Sequence, residues 1–111
     1  MKLTFDQYQQ LARSTAVYPY IGTNIMYPTL GLCGEAGEVA EKVKKLYRDH
    51  NGELTTDYIA LIEQELGDVL WYMAAIANEL GITLDGIANT NLRKLADRKH
   101  RMTLHGDGDD R

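Results

Sequence analysis

Two acidic pairs carry the clearest chemical signal in the chain: Glu35-Ala-Gly-Glu38 and Glu65-Leu-Gly-Asp68. Each sets carboxylates three residues apart in a helix-forming stretch, and residues at that spacing share a helix face. Four carboxylates gathered between two helices repel one another unless a cation lies among them. All-oxygen ligand sets suit hard divalent ions such as Mg²⁺, and sites of that kind act on phosphates. The spacing therefore points to metal-assisted chemistry on a polyphosphate.

Four helices must position these acids. Thr4 with Gln7 three residues later predicts a capping box, and Phe5, Tyr8, Leu11 and Ala12 form the stripe of a first helix ending near Ser14. Residues 16–29 hold both prolines, Gly22 and the tyrosines Tyr18, Tyr20 and Tyr27, which predicts an aromatic loop. A second helix is expected from about Pro28–Leu32 to Tyr47, followed by a turn at Asp49–Gly52. A third begins after Thr55 or Thr56 and runs to Glu79, with Gly81 as its C-cap. Thr83 caps a fourth that reaches about Lys99. No stretch reads as a strand. The expectation is an all-α, four-helix bundle-like subunit, a single domain over residues 1–111: helix and aromatic loop at 1–29, site-bearing helices at 30–99 and a charged, Gly-rich tail at 100–111.

At roughly 100° per residue, Glu35 and Glu38 fall on one flank of the stripe Leu32, Ala36, Val39, Ala40, Val43 and Tyr47. Glu65 and Asp68 hold the matching flank of the stripe Ile59, Ile62, Leu66, Val69, Leu70, Met73 and Ala77. That flank also bears Leu61, Tyr72, Ala75 and Ile76, so the third helix is apolar nearly all round and is expected to be buried on most sides. Carboxylates in such a setting need a compensating positive charge. On the fourth helix, Asn91, Lys94 and Arg98 align along one flank and are suited to hold phosphate oxygens. Tyr72, one turn after Asp68, is the expected substrate contact.

Plainer readings compete at several positions. A lone Glu-x-x-Glu is more often a solvated face than a site; the matched second pair is what favours a site. Glu41 and Glu63 lie across their helices from the acidic flanks and are expected at the surface. Lys94 and Arg98 also complement a helix C-terminus. Trp71 faces away from the third helix's main stripe and is assigned to a subunit interface rather than to substrate. Cys33 is expected to be a small buried residue, and the three histidines show no ligand spacing.

A formal charge of −4 offers no basic patch, so a nucleic-acid polymer is not the expected partner. A single cysteine allows no internal disulfide, and no apolar run suits a membrane span or a leader, so a cytoplasmic protein is expected. A chain of 111 residues with this much helix often completes its core by self-association.

The run Gly34-Glu35-Ala-Gly-Glu38-Val-Ala-Glu41, followed by Glu65-Leu-Gly-Asp68-Val-Leu-Trp-Tyr72 and then Asn91-Leu-Arg-Lys94, resembles the MazG-like all-α nucleotide pyrophosphohydrolases. The likeness covers about residues 28–100, and the ending Gly106–Arg111 is similar to the tail of small, phage-type, single-domain members. The resemblance implies cleavage of a (deoxy)nucleoside triphosphate between the α and β phosphates, yielding the monophosphate and pyrophosphate. It implies Mg²⁺, with Mn²⁺ able to substitute, on Glu35, Glu38, Glu65 and Asp68. Tyr72 and Asn91 would touch sugar or base and Lys94 the phosphates, in a homodimer or homotetramer with sites near subunit interfaces. In that scheme Glu38 is the expected general base, and Arg98 and Arg111 help offset the charge of the leaving pyrophosphate. A di-iron helical bundle would need Glu-x-x-His pairs, which are absent from the sequence. The remaining alternatives are a non-enzymatic helical adaptor and the same fold acting on another pyrophosphate-linked nucleotide such as phosphoribosyl-ATP.

Overall fold

A computed structural model describes residues 2–101 and 108–109. They form α1 (Phe5–Arg13), α2 (Met26–His50), α3 (Thr56–Leu80) and α4 (Leu84–His100), with no strand among the described residues. The expected all-α architecture is present, and four of its boundaries follow from cap chemistry. The Thr4 hydroxyl accepts the Gln7 N–H at 3.1 Å while the Gln7 side chain accepts the Thr4 N–H at 2.9 Å, a reciprocal capping box. Thr55 and Thr83 cap α3 and α4 by accepting the Tyr58 and Gly86 N–H groups. Gly81 ends α3 with φ 69°, a left-handed conformation that a residue without a Cβ adopts freely.

Two boundaries differ from expectation. The second helix starts earlier than predicted because the Asn24 side chain accepts the Tyr27 N–H at 3.0 Å and so caps the first turn, where Pro28 needs no partner for a missing N–H. It also ends later, absorbing Asp49 and His50, because the left-handed residue is Asn51 at φ 55°.

The long helices α2 and α3 pair along their length as an antiparallel hairpin, pinned at the closed end where the Tyr58 hydroxyl donates to the Lys42 carbonyl. At the other end α1 crosses α3, and α4 packs against α1 and α3 but not α2. The core is small and sits there: Ala12, Ala74, Ala77 and Leu84, surrounded by Tyr8, Leu70, Trp71, Met73 and Ile87. The expectation that α3 is buried on most sides fails within one chain. Ile59 and Leu66 on α3 are about half exposed, and Tyr47 on α2 is 69 % exposed, because no third layer covers the projecting hairpin. The radius of gyration, 16.9 Å, exceeds the roughly 13 Å of a compact chain of this length.

Gln9 ties the base of the molecule together. It is buried, and its amide donates to Asn78 Oδ1 at 2.8 Å and to the Ile82 carbonyl at 3.0 Å, while its oxygen accepts the Leu84 N–H at 2.8 Å. The Leu84 N–H is one of the donors that a helix start leaves unpaired. Replacing Gln9 with alanine strands the buried Leu84 N–H and removes a partner from Asn78 and from the Ile82 carbonyl. Urea denaturation of Gln9→Ala is expected to show a loss of about 1–3 kcal/mol; an unchanged midpoint would mean that water replaces the amide.

Candidate active site

The α2–α3 pairing brings Glu35, Glu65 and Asp68 together. One carboxylate oxygen from each lies within 4.8 Å of the others. Glu35 and Glu65 are half-buried and Asp68 is exposed, so the trio lies in an open cleft and not in the apolar interior expected for it. Partial burial, then the charges of Asp68 and Glu65, pushes the Glu35 carboxyl above its usual range. Oxygen donors alone, like-charged and converging, match the ligand preference of Mg²⁺ or Mn²⁺. The residues present therefore fit a divalent ion.

Glu38 stands apart from this arrangement. It shares the flank with Glu35, as predicted, and its charge adds to the repulsion Glu35 feels. It is exposed, however, and is not one of the three clustered carboxylates. The expected quartet is in geometry a trio with a fourth acid alongside.

Thr15, Glu35, Asp68, Trp71 and Tyr72 line a cleft of about 300 Å³ around these acids. Tyr72 is where the sequence reading put it. Trp71 is not. Instead of facing a separate interface it packs against the core and walls the cleft, its Nε1 donating to Thr15 Oγ1 at 2.8 Å. The two rings meet edge to face, with centroids 5.0 Å apart. Beside the acidic cleft lies a second groove of about 190 Å³, lined by Thr15, Val17, Tyr18, Pro19, Tyr27, Trp71 and Tyr72. Tyr18 and Tyr27 stack there at 4.8 Å and 10°. Thr15, Trp71 and Tyr72 belong to both walls, so an acidic end and an aromatic end adjoin.

Gly31 explains how Tyr72 fits. A Cβ at this position would fall 2.2 Å from the Tyr72 ring, so only glycine lets the ring lie on the α2 backbone. A glycine between two leucines inside a helix was the available signal, since glycine there lowers helix stability unless a close approach requires it. Thr15 and Glu79, which holds the aromatic loop, offered no such local sign. Cys33 is exposed, contrary to expectation. Glu41 is at the surface, bonded to Lys44 at 2.8 Å.

The fourth-helix residues are elsewhere. The largest groove, about 480 Å³, is lined by Ile82, Gly86, Ile87, Thr90, Asn91 and Lys94, and shares no residue with the acidic cleft. Seating α4 on α1 and α3, with Gln9 holding its start, keeps this flank off α2 within one chain. Lys94 bonds Asp109 at 3.0 Å. The buried Arg98 donates to the Asp109 carbonyl, and its Nε has no hydrogen-bond partner among the described residues. Arg111 lies outside the described residues.

A family model for the MazG nucleotide pyrophosphohydrolase domain matches residues 27–103, a span that contains both acidic pairs, Asn91 and Lys94. The chain belongs to that family. It is 45% identical over 111 positions to the Gene 37 protein of Mycobacterium phage L5, covering 96% of this chain and 97% of the phage protein, whose name states no activity. No solved structure matches significantly. Among the described residues of this MazG-family chain, no helix is long and apolar enough to cross a membrane.

The repulsion at Glu35 has a measurable consequence. Because its folded pKa is raised, ionising Glu35 costs the metal-free fold stability; the penalty is full above the folded value and vanishes below the ordinary value of 4.5. Glu35→Gln is expected to raise the metal-free melting temperature slightly at neutral pH, to leave it unchanged below pH 4.5, and to blunt the rise that Mg²⁺ gives. Differential scanning calorimetry at both pH values, with and without Mg²⁺, checks this; a lower neutral-pH value in the variant would contradict it.

Proposed function

We propose that the protein hydrolyses a (deoxy)nucleoside triphosphate between the α and β phosphates, in a divalent-cation-dependent reaction that releases a nucleoside monophosphate and pyrophosphate. One observation carries the reading: the acidic cleft and the aromatic groove share Thr15, Trp71 and Tyr72. A base seated among the aromatic rings leaves its first phosphates beside the carboxylates, and aromatic rings accept any base by stacking. Membership of the MazG nucleotide pyrophosphohydrolase family supports the same reaction class.

Glu35, Glu65 and Asp68 would hold Mg²⁺, or Mn²⁺ in its place. The bound ion supplies neutralising charge for the phosphates and makes nearby water more acidic. Glu38, exposed and outside the trio, is the carboxylate left to accept the proton of the attacking water. Tyr72 orients sugar and base from the shared wall. The exposed apolar residues of the hairpin support a homodimer or homotetramer, in which Asn91, Lys94 and Arg98 serve phosphate or sugar from a neighbouring copy rather than within their own chain. Arg111 adds to that positive charge in this reading. The substrate is a small nucleotide in the cytoplasm, not a nucleic-acid polymer or a membrane.

The test is incubation with each NTP and dNTP and Mg²⁺, assaying pyrophosphate and orthophosphate separately. Pyrophosphate in step with monophosphate is expected. Orthophosphate alone would make the protein a phosphatase, and neither product would leave a non-enzymatic helical adaptor or a different pyrophosphate-linked nucleotide. Asp68→Ala is expected to lower kcat by more than about 100-fold with the far-UV circular dichroism unchanged. Near-normal turnover in that variant would remove Asp68 from the site.

A further inference from the structure

Glu79 is a charged residue whose bonds all run away from the acids. It lies on α3 eleven positions after Asp68, about 16 Å along the axis. Its carboxylate accepts the Gly22 N–H at 3.0 and 2.7 Å and the Asn24 N–H at 2.7 Å. The Asn24 N–H above all holds the Glu79 carboxyl below its usual range, and the Tyr18 hydroxyl bonds it as well. The segment it grips makes a tight turn of its own, in which the Thr23 N–H donates to the Tyr20 carbonyl at 2.9 Å. Tyr20 there is left-handed at φ 55°, a conformation unfavourable for a residue with a Cβ, so outside contacts help to hold it.

From that grip, bonds lead to the groove. Asn24 donates to the Pro19 carbonyl at 2.8 Å and caps Tyr27 with its own oxygen. Tyr18 and Tyr27, on either side of the gripped residues, stack on each other and face Trp71 and Tyr72. Two backbone donors and one phenol thus converge on one carboxylate, and the product is a fixed aromatic wall.

We infer that Glu79 is a positioning residue for the base of the nucleotide: by fixing residues 18–24 it sets the Tyr18–Tyr27 stack, and so governs how tightly the base binds without touching the reacting phosphates. The inference rests on the proposed function for the identity of the ligand. A glutamine here keeps the size but loses one acceptor oxygen and turns an N–H₂ toward N–H donors.

Trp71 is the sole tryptophan and lines both clefts, so its fluorescence reports binding directly. Titration of wild type and Glu79→Gln with a nucleoside monophosphate and, in the presence of Mg²⁺, with inorganic tripolyphosphate separates base from phosphate recognition. The expected result is an approximately 10-fold weaker Kd for the monophosphate, the size of one lost stacking contact, with tripolyphosphate affinity unchanged within about twofold. In turnover, KM should rise while kcat holds. Equal monophosphate affinity, or parallel loss of both ligands, overturns the inference. Glu79→Asp, which keeps the charge but shortens the reach, must show the same pattern if Glu79→Gln fails to fold. Absence of turnover in wild type counts against the proposed hydrolysis alone, because the binding titrations need no catalysis.

Discussion

Three carboxylates held within 4.8 Å of one another are a standing source of repulsion, and the rest of the molecule is arranged so that it persists. Left to themselves the side chains would rotate apart into water, since all three lie in an open cleft. What keeps them converging is the register between two 25-residue helices, fixed on either side of the acids: Tyr58 on the Lys42 carbonyl toward the closed end, and the Tyr72 ring on Gly31 one helical turn away in the other direction. Sites that store unfavourable electrostatics in this way commonly hold a ligand that relieves it. Glu35, whose carboxyl is pushed above its usual range, belongs to α2, whereas Glu65 and Asp68 both belong to α3. The strain is thus across the helix pair, and a cation between the helices would bind them together as well as serve chemistry.

Helix boundaries were legible where the determining chemistry is local. Thr4, Thr55, Gly81 and Thr83 act within four residues of themselves, so their roles follow from order alone. The start of α2 was not, because its capping oxygen comes from Asn24, in a loop whose shape is set by Glu79 fifty-five positions away. The acidic pairs were legible as pairs, since helix angle places both on matching flanks. Angle does not give depth, and so Glu38 was grouped with three residues it accompanies but does not join. The same gap explains Trp71. It points off the main stripe as predicted, and within the chain what lies in that direction is Thr15, just after α1. The flank Asn91–Lys94–Arg98 is aligned as predicted, yet where a helix flank faces depends on the turn that delivers the helix, and Gln9 decides that turn.

Half of the exposed large apolar residues belong to the hairpin, while the buried core cluster lies at its base. A chain folded as one compact body would not divide itself so. The base has its own core and its own polar lock at Gln9, enough to fix α1, α4 and the end of α3. The free half of the hairpin has Leu46 and Tyr58 buried near its closed end and little else. Burying apolar area at about 25 cal/mol per Å² is the main force available to such a segment, and within one chain most of that area is unused. Within one chain the site-bearing segment of the hairpin is therefore more open than its sequence suggests.

The adjacency of the two clefts bears on which phosphate bond is attacked. A phosphatase removing the terminal phosphate would profit from distance between its base-binding wall and its metal site, enough for three phosphates to intervene. Here one pair of rings, Trp71 and Tyr72, serves both, and Asp68 precedes Tyr72 by a single helical turn. In the proposed function, a nucleotide whose base rested on that wall would present its α-phosphorus near the carboxylates, with the β and γ phosphates extending outward. The outward end is where positive charge is needed to receive departing pyrophosphate, and among the described residues the cleft lining contains none. The cations that could supply it, Lys94 and Arg98, are instead engaged with Asp109. The placement of the rings thus suits the proposed cleavage next to the nucleoside, and in that proposal completion of the leaving-group side would fall to residues outside this cleft.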